Sequence, residues 1–271
     1  YEIAQCLVGS EMCIRDRSYS LAQKSIPIDV KAVKNGKFLL VTTYDRPFVD
    51  VVSVADSRFI KQINLPSNPD EILLDEANNK AYVTSPSAST IFVIDLNTMS
   101  LAQKIKINGY CENLLLKEDK LFYVDKLKNE IWAIELKNQY ELKDIGIFPN
   151  VSSLAFTNNK LYISSRTKSR IAIIDYSTMG LITEFTTVNK PLAMLLYDKT
   201  LYVLGAQNNE IQKINTANDQ VIDTIALGTE GFSSGLNAIE NTNLAVVTDL
   251  KNNLYSCLLY TSPSPRDTER S

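Results

Sequence analysis

The side chains best equipped for chemistry in this sequence are carboxylates. Asp29, Asp70, Glu71 and Glu112 each stand at the head of an apolar run, and converging oxygens of this kind can hold a hard cation. No Asp-x-Asp-x-Asp-Gly loop accompanies them, so solvated rim charge is the competing reading. Arg166, Lys168 and Arg170 form a basic cluster suited to an anion, or a solvated hairpin tip. Two further stretches, Tyr44-Asp45-Arg46-Pro47-Phe48 and Phe232-Ser233-Ser234, mix aromatic area with donors and acceptors. That mixture suits a small-molecule or peptide site. The 271-residue chain holds no histidine. This removes His-ligated metals, Ser–His and Cys–His nucleophile pairs and the usual general base at neutral pH. The residues therefore point to binding, with no catalytic group, metal or cofactor assigned.

The elements that position these residues lie between two unusual ends. Cys6 to Asp16 and Cys257 to Asp267 are related through complementary DNA. ATG TGT ATA AGA GAC encodes Met12-Cys13-Ile14-Arg15-Asp16. Its reverse complement, read in a shifted frame as TGT CTC TTA TAC ACA, encodes Cys257-Leu258-Leu259-Tyr260-Thr261. Both segments read as the translated strands of one transposon-type sequencing adaptor, and scars of this kind are excluded from fold reasoning. Residues 1–17 and 257–271 are accordingly expected to be non-native and loose, except that Leu254 to Tyr260 can extend the last strand. The domain proper is expected over 18–256, truncated at one or both ends. Of the four cysteines only Cys111 lies inside it, so no intrachain disulfide is expected there and Cys111 reads as a small buried hydrophobe. The trim removes four of 28 basic and five of 31 acidic residues, leaving a net charge of −2. Such balance gives no electrostatic footprint for nucleic acid or anionic lipid. No run of about 18 apolar residues predicts a transmembrane helix.

A repeat organises the interior. Ile91, Ile131, Ile171 and Ile211 stand forty residues apart, with Val51 on the same grid. Ile94, Ile134, Ile174 and Ile214 follow the same period behind Val54. Tyr82, Phe122, Tyr162 and Tyr202 form a third series, and Asp95, Glu135, Asp175 and Asn215 a fourth. Each unit reads as four short strands, a to d, parted by turns such as Asn35-Gly36-Lys37, Asn78-Asn79-Lys80 and Asn158-Asn159-Lys160. Asparagine tolerates the positive φ such turns need. Four-stranded units of this length, repeated without an amphipathic helix, predict an all-β propeller of antiparallel blades. A sandwich does not repeat its sequence, and a β-helix repeats at a shorter period. The repeated carboxylates Asp95, Glu135 and Asp175 are expected to accept backbone N–H bonds in the c–d turns. Trp132 and the tyrosine series are expected in the blade core.

Ala81-Tyr82-Val83-Thr84-Ser85 followed by Val93-Ile94-Asp95 resembles the YVTN β-propeller repeat family. The match extends over the trimmed chain but decays, as in Leu161-Tyr162-Ile163-Ser164 and Leu201-Tyr202-Val203-Leu204, and the fourth signature Asn is absent. The resemblance implies a periplasmic, extracellular or cell-surface protein, usually non-enzymatic and commonly seven-bladed.

Five full blades are expected at about 29–66, 67–108, 109–149, 150–188 and 189–228, with Leu236 to Ser256 supplying most of a sixth. The intact protein can have seven. The residues before 29, from Leu21 to Ile28, match strand d of a preceding blade. The b–c and d–a loops share one face, where propeller ligands usually meet. Two insertions are expected there: the b–c loop around Tyr44, Asp45, Arg46 and Phe48, and the d–a loop Gly228 to Gly235 with Phe232 and Ser233. With Asp70, Glu112 and Arg166 these form the candidate ligand-binding set. Neutral drift of surface loops is the competing account. The leading function is a non-catalytic binding propeller of a bacterial cell envelope, monomeric, with a small molecule, peptide or protein as partner. The alternatives are a lactonase-like metal-dependent hydrolase and a single-stranded nucleic-acid binder.

Overall fold

The computed structural model describes residues 3–9, 12–19, 21, 26–227, 233–239, 244–249 and 255–259. The chain divides into two compact units, 1–147 and 148–271. Both are built from antiparallel sheets in which each strand pairs with its neighbour in sequence, the pattern of propeller blades.

In the first unit, blade 1 consists of Pro27–Val33, Phe38–Thr43, Phe48–Ser53 and Arg58–Asn64. Blade 2 consists of Ile72–Asp75, Lys80–Ser85, Thr90–Asp95 and Ser100–Lys106. Blade 3 consists of Cys111–Lys117, Lys120–Asp125, Glu130–Glu135 and Glu141–Ile147. The amino-terminal segment, expected to be loose, forms a hairpin of Ile3–Gly9 and Met12–Tyr19. Its β-forming residues alternate around a Gly-Ser-Glu turn, and that suffices for local pairing.

The second unit holds blade 4 (Val151–Thr157, Lys160–Ser165, Arg170–Asp175, Leu181–Thr186) and blade 5 (Pro191–Tyr197, Thr200–Gly205, Glu210–Asn215, Gln220–Ala226). The three strands Ser233–Ile239, Leu244–Asp249 and Tyr255–Leu259 make a partial sixth. Tyr255–Leu259 pairs with Leu244–Asp249, as expected of the extension of the last strand. Pro27 and Ile28 belong to strand a of blade 1, not to a preceding strand d.

Why these stretches are strands is plain from their burial. Strands b and c are nearly continuous β-branched and aromatic runs that are buried on both faces, as in Phe38–Thr43 and Thr90–Asp95. Strand d is largely exposed, as in Arg58–Asn64 and Gln220–Ala226. Apolar layers form between successive blades. Leu40, Val49 and Val51 of blade 1 pack with Ala81, Val83 and Phe92 of blade 2, and Tyr82, Ile91 and Val93 of blade 2 pack with Leu121 and Tyr123 of blade 3. In the second unit Tyr162, Ile171 and Ile173 of blade 4 pack with Leu201 and Val203 of blade 5. All four members of the Ile91 series are fully buried, as are Ile94, Ile134 and Ile214.

The register of blade 1 differs from expectation. Strand c begins at residues 48, 90, 130, 170 and 210, so the period is forty except between the first two blades, where it is 42. The counterparts of Ile91 and Ile94 are therefore Val49 and Val52, not Val51 and Val54, and Val54 lies in a turn. The b–c loops are four residues long in all five complete blades (44–47, 86–89, 126–129, 166–169, 206–209). The lengthened segments are a–b turns, 34–37 and 76–79, against two residues at 118–119, 158–159 and 198–199. In blade 2 the extra residues form a 3-10 turn, Glu76–Asn78, capped by the Asp75 side chain accepting from the Asn78 amide at 3.2 Å. The face expected to be uniform is thus the one that varies. Six residues, 227–232, separate blade 5 from the next strand, which keeps that insertion on the d–a side. Among the described residues no helix is long and apolar enough to cross a membrane.

Candidate ligand-binding site

The inner strands carry a repeated polar seam. Asp29 Oδ2 in blade 1 accepts from the Ile72 amide of blade 2 at 2.8 Å, 43 residues along. Glu71 Oε2 in blade 2 accepts from the Leu114 amide of blade 3 at 3.1 Å, again 43 residues along. Ser153 Oγ in blade 4 accepts from the Met194 amide of blade 5 at 3.1 Å, 41 residues along. All three acceptors stand near the start of strand a, where a bulge interrupts the pairing in blades 1, 3, 4 and 5 and frees amides from the ladder. Two of the carboxylates expected at a cation site are thus engaged by backbone amides. Burial pushes the Glu71 carboxyl up to about 7, against the opposing bond from Leu114.

Strand b ends tether the d–a linkers. Ser85 Oγ donates to the Asn68 carbonyl and Ser165 Oγ to the Pro149 carbonyl, both at 2.7 Å. Asp125 Oδ1 accepts from the Tyr110 amide at 3.1 Å. Glycine is required beside it: Gly109 has φ +72°, and a Cβ there would stand 1.8 Å from Asp125 Oδ2. The c–d turns behave as expected for two of the three carboxylates. Asp95 accepts from the amides of Asn97 and Thr98, and Asp175 from those of Ser177 and Thr178. Hydrogen bonds from Ser177 and Thr178 hold the Asp175 carboxyl down to about 2. Glu135 is one methylene longer and pairs with Lys120 at 3.2 Å instead.

What these structural duties leave over gathers at the loop end of blades 1 to 3. Tyr44 is 70% exposed, and Tyr110 in the blade 2–3 linker is 36% exposed. Asp70 is half-buried. Its carboxyl is raised first by burial, then by the neighbouring carboxylates of Glu112 and Asp29. The Tyr110 hydroxyl is raised by burial and by Asp70, Glu112 and Tyr44 around it. Glu112 pairs with Lys126 at 3.3 Å. The Asn68 side chain holds the loop by donating to the Tyr44 carbonyl at 3.3 Å. Carboxylates crowded in a partly dry site repel one another, so an added cation relieves a cost already present. Flanking tyrosine rings add cation–π attraction.

The other expected residues are distributed differently. Asp45 and Arg46 face each other at 3.8 Å. Phe48 is half-buried at the start of strand c. Arg166 is exposed on the blade 4 loop, in the second unit. Ser233 is buried, its hydroxyl donating to Asn209 Oδ1. Phe232 lies outside the described residues. Cys111 is fully buried, and burial with the nearby carboxylates holds its thiol well above the usual range. Among the described residues no group of three or more His, Cys, Asp or Glu side chains is arranged to hold a metal. Sequence reasoning passed over Tyr110 and Lys126. The available signal was an aromatic in a linker position filled by asparagine in the neighbouring linkers, at Asn68 and Asn150.

No family model matches this chain. It is 23% identical over 160 residues to the protein YncE of Salmonella typhi, and equally to that of Salmonella typhimurium. The match takes in 56% of this chain and 45% of those proteins, so the chain spans about half the length of the curated relatives it matches. Among solved structures it is similar to Kuenenia stuttgartiensis hydrazine synthase, with a TM-score of 0.76 and 13% identity over 91% of this chain and 86% of that one. It is also similar to virginiamycin B lyase from Staphylococcus aureus (TM-score 0.68, 14% identity, 89% and 86% covered). A computationally designed protein, Ika8, superposes with a TM-score of 0.67 at 11% identity, over 86% of this chain and 70% of that one. At such identities the likeness shows the fold alone, a β-propeller of about six blades.

Proposed function

We propose that the protein is a non-catalytic binding propeller of a bacterial cell envelope, of the YVTN-repeat kind. Its ligand is held at the loop end of blades 1 to 3 by Tyr44, Asp70, Tyr110 and Glu112. The observation that carries this reading is the surplus of charge there. Asp29 and Glu71 serve the inter-blade seam, whereas Asp70 has no such bond and is raised in the field of its neighbours. The ligand class that fits is a cation with a desolvatable body, such as an amine or a guanidinium on a peptide. The chain resembles YVTN repeats in its Tyr-Val-Thr and Val-Ile-Asp strands, and the sequence relatives it matches are bacterial; both support the envelope setting. Titration with an arginine-rich tetrapeptide, followed through tyrosine fluorescence, tests it. Wild type saturates, and Tyr44→Ala with Tyr110→Ala weakens binding about tenfold. Equal affinity in the two proteins contradicts the reading.

A further inference from the structure

The second unit carries a different opening, and it has the opposite charge. A cleft of about 230 Å³ on blade 4 is lined by Phe148, Pro149, Ile163 and Ala172, with Lys168, Arg170 and Glu184 among its polar members. Its origin is readable in the repeat. Ala172 is the third residue of strand c, and the same place holds Phe92 in blade 2 and Trp132 in blade 3. An alanine where two sister blades carry an aromatic ring leaves the space of that ring unfilled. The Ser165 hydroxyl and the Pro149 carbonyl in the cleft are spent on each other at 2.7 Å. The polar groups left to meet a ligand are therefore cations. Arg170 gives Nη1 to Glu184 at 3.2 Å and keeps its remaining donors, with both side chains about half exposed. Lys168 is exposed and has no carboxylate partner among the described residues. Arg166 adds a further exposed positive charge to the same four-residue loop.

We propose that this cleft binds a small organic anion with an apolar body, a carboxylate carried on a single ring. The ring takes the place that Phe92 and Trp132 occupy in their own blades, and the carboxylate meets Lys168 and the free face of Arg170. Size sets the class: the volume lies below the range of about 300–1,000 Å³ typical of drug-sized sites, so one ring fits and a peptide or nucleotide does not. Charge sets the sign, because three cations surround the one carboxylate of Glu184. This site is independent of the cation-binding reading of blades 1 to 3, and either can fail without the other.

The test uses benzoate as the probe and benzyl alcohol as its neutral match, titrated into the full chain and followed by calorimetry or by chemical shifts. Benzoate is expected to saturate and benzyl alcohol to bind at least about tenfold more weakly. Lys168→Gln should weaken benzoate about tenfold while leaving benzyl alcohol unchanged. Ala172→Phe should abolish binding of both by filling the cleft, with the strand signature in circular dichroism retained. Equal binding of the two probes, or undiminished benzoate binding in Ala172→Phe, overturns the proposal, as does an absence of saturable benzoate binding. Should Ala172→Phe fail to fold, the Lys168→Gln comparison still decides.

Discussion

In the first unit the carboxylates of Asp29 and Glu71 accept amides across neighbouring blades; in the second unit the hydroxyl of Ser153 does the same between blades 4 and 5. A neutral oxygen is evidently enough to hold such a seam. The negative charge in blades 1 and 2 is therefore more than the fold requires, and it comes with a cost seen at Glu71, whose carboxyl is held near 7 by burial. The loop ends differ in the same direction. Blades 1 to 3 present tyrosines among carboxylates, and blade 4 presents Arg166, Lys168 and Arg170 around an unfilled space. One scaffold thus carries two surfaces of opposite sign, and the charge on each is a property of ligand recognition rather than of blade architecture.

The scaffold itself should be indifferent to this division. Ile91→Ala in the first unit and Ile171→Ala in the second, both fully buried in strand c, should each cost about 2–5 kcal/mol in denaturant unfolding. A cost below about 1 kcal/mol in one unit would mean that its blades are not packed alike.

Glu71 gives the next largest effect. Its folded pKa is raised above the ordinary 4.5 to about 7, so the folded state holds the proton more tightly than the unfolded one. The associated stability is fully present below about pH 4.5 and is lost as pH rises through 7. Glu71→Gln, which keeps an acceptor for the Leu114 amide, should match wild type at pH 4. At pH 8 it should be more stable by about 2–3 kcal/mol. An identical pH profile for the two proteins removes the cost argued for the first unit. Ser153→Ala leaves the Met194 amide without its acceptor and should lose about 1 kcal/mol, with no pH dependence between 4 and 8. A pH-dependent loss there would erase the contrast between the seams.

Smallest is the turn carboxylate Asp175, whose pKa is lowered from 3.8 to about 2. Its contribution is present above pH 3.8 and fades as pH falls through 2. Asp175→Asn should therefore flatten the acid limb of the stability curve without moving the neutral plateau far, whereas an unchanged acid limb would show that the turn bonds carry no charge dependence.

The contrast also explains what a single sequence can reveal. Strand identity was readable because Ile91, Ile131, Ile171 and Ile211 bury the same place in every blade, and turns were readable because Asn35, Asn79 and Asn158 take positive φ. The register of blade 1 was not, because Phe48–Ser53 offers valines at 49, 51 and 52, so a forty-residue grid finds a valine whether or not it is aligned. The roles of Asp29 and Glu71 were hidden for another reason. Their partners are backbone amides 43 residues away, and an amide has no side-chain identity to betray it. At the candidate site Tyr44, Asp70 and Glu112 could be picked out by type, but Tyr110 could not be joined to them without the linker geometry that Asp125 and Gly109 impose.

The most direct test separates charge from architecture in one protein. Asp70→Asn combined with Glu112→Gln keeps the shapes and removes the surplus charge. Its melting temperature and its affinity for the arginine-rich tetrapeptide should be measured side by side at pH 7 and low salt. The account predicts a melting temperature within a few degrees of wild type and an affinity weakened at least about tenfold. Unchanged affinity, or a collapse of stability with the charge removed, would contradict it.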